Sequence, residues 1–138
     1  MTVKLIRSSR LYAGAPYAYA ATAPGTGLIF TAGACPLDEQ GTVVALGDIA
    51  AQMRQALGNL RIALAECGAT VSDVVKTTVF VASARRDDLV EAWDEVAAAF
   101  GDHDPPSTLL GVAVLGYQDQ LVEIEAVAVV TPEAPGPH

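Results

Sequence analysis

Charge is what this chain has least of. Charged residues fill 17% of its 138 positions, and only eight are lysine or arginine against sixteen aspartate or glutamate. The one adjacent basic pair is Arg85-Arg86, and the net charge is −8. That balance argues against a nucleic-acid partner, because such surfaces need clustered cations to displace counterions. Two cysteines, Cys35 and Cys67, are too few for a disulfide framework and too distant in sequence to outline a zinc site. Both read as buried small hydrophobes. No two histidines sit close enough in sequence to suggest a general-acid pair for ribonuclease chemistry. Long apolar runs are missing as well, so no membrane partner is expected. The segment Met1–Ser8 has neither an apolar core nor a small-residue cleavage site, which makes the cytoplasm the expected location. No Ser-His-Asp arrangement, metal-ligand spacing, phosphate-cradling glycine loop or internal repeat stands out. Neither a metal nor an organic cofactor is expected.

What the chain does have is alanine and valine spread along its length, with hydrophobic residues at 51%. This is enough for one domain, expected over 1–131, with a proline-rich tail over 132–138. The most telling stretch is Leu121 to Val130, which reads as a strand. Leu121, Glu123, Glu125, Val127 and Val129 fall on one face, and Val122, Ile124, Ala126, Ala128 and Val130 on the other. Both faces are largely apolar, so both need cover. Two carboxylates in such a setting are either paired by hidden partners or part of a site. For Glu125 the paired reading is preferred; for Glu123 the two are even.

Other elements follow from pattern and punctuation. Strands are expected over 3–8, 17–22, 28–32, 74–81 and 108–115. Asp48 is a suitable N-cap for a helix whose stripe runs Ile49, Met53, Leu57, Leu60, Leu64 and Cys67, closed by Gly68. A second helix begins at Ser83 or Asp87, carries Leu89, Trp93, Val96 and Phe100, and stops at Gly101. Trp93 reads as core or interface, His103 as a solvated residue at a helix end, and Arg85-Arg86 as a solvated helix start. The order β-β-β-α-β-α-β-β describes an α+β domain, one sheet with a helical layer. Two helices cover one face of such a sheet. The other face then calls for further copies of the chain in a closed oligomer.

Several segments together resemble the RidA/YjgF family, also called the L-PSP endoribonuclease-like family. They are Leu28-Ile-Phe-Thr-Ala-Gly33 with Pro36-Leu37; Gly47-Asp48-Ile49 with Gln52 and Ala56–Leu60; Asp73–Val81; and Leu121-Val-Glu-Ile-Glu-Ala126. The resemblance implies a chorismate-mutase-like fold, a six-stranded mixed sheet backed by two helices. It also implies a homotrimer with small-molecule clefts at the subunit interfaces and hydrolysis of enamine or imine intermediates to 2-keto acids and ammonia. Glu123 matches the glutamate that orients the attacking water. Tyr17 matches a tyrosine lining the cleft, and Gly33 a glycine whose backbone lies against the ligand. The family's carboxylate-gripping arginine is replaced by Ser107, followed by Thr108, and a frequent asparagine by Glu91. A frequent cysteine is Leu109, and Ala18 and Tyr19 stand where Ser-Gln is common. Each position has a plainer reading: a packing tyrosine for Tyr17, backbone-bonding hydroxyls for Ser107 and Thr108. Without the arginine, deamination of ordinary 2-imino acids is expected to be weak or absent. The alternatives are a non-catalytic ligand-binding trimer and, least favoured by charge, a ribonuclease.

Overall fold

A computed structural model of the protein describes residues 3–131; the tail expected over 132–138 lies outside them. Six strands form one sheet: β1 (Lys4–Ile6), β2 (Ala20–Thr22), β3 (Leu28–Thr31), β4 (Val74–Val81), β5 (Ser107–Gly111) and β6 (Val122–Val129). The helices are α1 (Ile49–Glu66) and α2 (Arg86–Phe100), with a short 3-10 turn at Val71–Asp73. The sheet order is β1-β2-β3-β6-β4-β5, and only the β4–β5 pair is parallel. This is the expected mixed sheet with two helices on one face.

Local chemistry sets the helix ends. The Asp48 carboxylate accepts from the Ala51 amide at 3.0 Å, a cap worth about 1 kcal/mol. Gly101, at φ 62°, turns the chain back after α2. That reversal carries His103 inward, so the expected solvated role is wrong. Its Nε2 lies 2.7 Å from the Val74 carbonyl and its ring stacks on Phe100.

The core lies between the helices and one side of the sheet. Val122, Ile124, Ala126 and Ala128 of β6 join Ile29, Val79, Val81, Met53, Leu60 and Leu64 there, all buried. Each large side chain so covered contributes about 1.5–3 kcal/mol. Register extends the opposite face across five strands, as Leu5–Ala21–Phe30–Val127 runs into Lys76. Phe30 is 48% exposed and Leu5 63%. Three expected strands are clearly shorter than pattern suggested, and the first keeps only Lys4–Ile6. The second begins at Ala20 because Tyr17–Tyr19 leave the ladder, although the Tyr19 amide still donates to Ile6. The fifth ends at Gly111, where the backbone passes so close to the Ser83 carbonyl that a Cβ would stand 2.6 Å from it.

Candidate functional site

Glu123 projects from β6 on the uncovered face and lines a hollow of ≈ 260 Å³ with Tyr17, Ala32, Gly33, Cys35, Gly116 and Tyr117. Three loops converge to build it. After β3, a bridge between Ala34 and Ile124 lays Gly33–Cys35 beside Glu123. The Ala34 amide donates to the Ile124 carbonyl at 2.6 Å, and the Ile124 amide returns a bond at 3.1 Å. From the helix side, Asn59 Nδ2 donates to the Cys35 and Leu37 carbonyls, both at 2.9 Å. The loop is therefore clamped between α1 and β6.

Gly33 is glycine for a steric reason. A Cβ there would lie 2.3 Å from Glu123 Oε2, so any side chain would displace the carboxylate. The other oxygen, Oε1, accepts from Cys35 Sγ and from Gln120 Nε2, each at 3.2 Å. Gln120 is itself buried, donates to the Val122 carbonyl at 2.9 Å, and accepts from the Tyr117 amide at 3.1 Å. One glutamine thus ties the loop carrying Tyr117 to the glutamate. That loop is anchored once more from α1. Gln52, fully buried, accepts from the Leu121 amide at 2.8 Å and donates to the Asp119 carbonyl at 3.1 Å. Asp119 sits at φ 66°, a left-handed conformation that an outside partner helps hold.

Across the hollow, the Tyr17 and Tyr117 hydroxyls lie 3.1 Å apart. Burial, and then the bond to Tyr117, hold the Tyr17 phenol neutral well above its ordinary range. The Cys35 thiol is pushed up to about 12, first by burial and then by the adjacent Glu123 charge. Of the hollow's lining side chains, only Glu123 brings a formal charge at neutral pH.

The expected site residues divide. Tyr17, Gly33 and Glu123 come together. Ser107 and Thr108 stand on β5, beyond β4. Ser107 bonds the Thr77 hydroxyl on the helix-covered side. Thr108 accepts from Lys76 Nζ at 2.6 Å on the open side. Both hydroxyls engage side chains, not the backbone bonds expected of them. Glu91 is exposed on α2 and lines a different surface groove with Asp48, Ser83 and Arg85. Cys35, Tyr117 and Gln120 were not singled out from sequence. Their partners lie far along the chain, with Tyr17 and Tyr117 separated by 100 positions. Cys35 is buried, as read, but its thiol faces the glutamate.

No helix among the described residues is long and apolar enough to cross a membrane. Nor, among them, could any group of three or more His, Cys, Asp or Glu side chains hold a metal ion.

Comparison with known proteins gives a consistent picture. The family model described as endoribonuclease L-PSP matches residues 7–130. A RutC family protein of Synechocystis is 38% identical over 136 residues, covering 94% of this chain and 98% of its own. A 2-iminobutanoate/2-iminopropanoate deaminase of Escherichia coli is 40% identical over 106 residues, 74% of this chain and 79% of its own. The crystal structure of the YjgF gene product of E. coli superimposes with a TM-score of 0.78 at 34% identity, over 91% of this chain and 98% of that one.

Proposed function

The chain belongs to the endoribonuclease L-PSP family, the RidA/YjgF group, and from that premise we propose a cytoplasmic homotrimer whose interfacial clefts hydrolyse a small imine. The observation that carries this reading is the Glu123 carboxylate. It is fixed by two donors and packed on Gly33 at the mouth of a hollow on the uncovered face. That face, with Phe30, Leu110 and Val129 exposed, is the surface a second and third copy would cover.

The chemistry is water addition to a C=N bond. Glu123 takes a proton from a water as its oxygen attacks the imine carbon and passes that proton to the nitrogen, giving a carbinolamine. The carbinolamine hydroxyl then loses its proton through Glu123 to the nitrogen as the C–N bond breaks, which releases ammonia and leaves a carbonyl. Positioned acid–base help of this kind contributes about 10²–10⁴-fold in rate.

Relatives of this chain include 2-iminobutanoate/2-iminopropanoate deaminases, whose substrates carry a carboxylate. Ser107 is turned toward the helix layer, and no lysine or arginine lines the hollow. A charge-assisted grip worth about 1.5–3 kcal/mol is therefore missing, and turnover of such imino acids is weak or absent. A second reading, a ligand-binding trimer without turnover, is favoured by the two intramolecular bonds that Glu123 already accepts. Imine hydrolysis, followed by semicarbazide trapping in wild type and Glu123→Ala, separates the two. Loss of about 10²-fold or more in the variant supports catalysis. Equal rates in both proteins leave only the binder.

A further inference from the structure

The charge of the hollow has a consequence for its guest. Its lining is one carboxylate, two phenols, a thiol and small residues, with no lysine, arginine or histidine among the described residues. Within the subunit none of the eight basic residues of the chain lines it. Arg7 bonds the Tyr17 carbonyl from an exposed position, Arg54 pairs with Glu95, Arg61 with the Ala99 carbonyl, and Lys76 with Thr108. Arg10 lines an adjoining hollow that shares Tyr17, Ala32, Gly33 and Cys35 with this one but does not include Glu123, while Lys4, Arg85 and Arg86 are exposed. A lone half-buried carboxylate beside aromatic rings attracts a positive charge and repels a negative one.

We infer that the guest is a compact cation, a protonated imine or amine without a carboxylate, held by Glu123 beside the Tyr17 and Tyr117 rings. This rests on the cleft assignment above, and it reverses the charge expected from deaminase relatives that act on imino acids. The reaction balances for such a guest. An iminium and one water give a carbonyl compound and ammonium, so positive charge is conserved and leaves with the nitrogen.

Three probes of matched size test it by NMR titration: pyrrolidinium, neutral cyclopentanol and cyclopentanecarboxylate. In wild type, pyrrolidinium is expected to bind at least about tenfold more tightly than cyclopentanecarboxylate, with cyclopentanol between them. Glu123→Gln should bring the three close to parity. Tyr117→Leu, which leaves the carboxylate in place, should weaken pyrrolidinium alone by about two- to fivefold. The inference is overturned if pyrrolidinium shows no saturable binding, if the anion binds equally well, or if Glu123→Gln preserves the preference. Hydrolysis is read separately. Cation preference without imine turnover removes the proposed reaction and leaves this inference standing. Brisk turnover of carboxylate-bearing imines without cation preference does the reverse.

Discussion

Alternate residues of β6 lead different lives. Val122, Ile124, Ala126 and Ala128 are sealed under α1 and the neighbouring strands, none more than 3% exposed. Glu123, Glu125, Val127 and Val129, interleaved with them, face the other way and keep access to solvent within the subunit. The first set is uniform, and any apolar residue of the right volume would serve there. The second mixes carboxylates with apolar groups, and its members are distinguished by what each meets: Glu123 meets Gly33, Cys35 and Gln120, while Val127 stands opposite Phe30. One face makes the subunit fold. The other carries the candidate chemistry and the surface proposed for assembly.

Breaking the open face should have the larger and more selective effect. Phe30→Asp places a charge in the apolar row beside Val127. For the proposed trimer, the mass by light scattering is expected to fall from three subunits to one while the far-UV circular dichroism persists. A trimer that survives this change would remove the open face from the interface. Breaking the covered face should do the opposite. Ile124→Ala removes buried methylenes from a fully enclosed position, so chemical denaturation should show a loss of about 2–5 kcal/mol. The mass should be unchanged. If Ile124→Ala dissociates the protein without destabilising it, the assignment of the two faces is inverted.

The same contrast explains what could be read from sequence. Side-chain parity along a strand is a local property, and β4 runs over Val74–Val81 as alternation predicts, with β6 within one residue at each end. Helix punctuation is equally local: Asp48 caps α1, and Gly68 and Gly101 follow the two helices with φ near 79° and 62°. Glu123 could be singled out because a carboxylate on an apolar strand breaks a local pattern. Tyr117, Gln120 and Cys35 break none. A tyrosine and a glutamine in a turn, or a buried cysteine, are unremarkable until the fold brings loops together from distant parts of the chain. Ser107 shows the converse. Matching the family's arginine by sequence position says nothing of which way the hydroxyl points, and here it bonds Thr77 on the covered side.

The finest test of the comparison is the thiol beside the carboxylate. Alkylation requires thiolate, and the fraction present falls tenfold for each unit by which pH lies below the pKa. Cys35, pushed up to about 12 by burial and then by Glu123, should react with iodoacetamide at a rate that climbs with pH and shows no plateau through the ordinary thiol range. Replacing the glutamate by glutamine removes the second cause and keeps the first. The Cys35 pKa should then fall while staying above that of a free thiol, so alkylation at a fixed alkaline pH should quicken several-fold. Cys67 supplies the internal control: its thiol is raised by burial and then by Glu66, and it does not touch Glu123. Its rate should not move between the two proteins. A Cys35 rate equally indifferent to the change would mean that the carboxylate charge is not aimed at the thiol, and the geometry of the hollow would have to be redrawn.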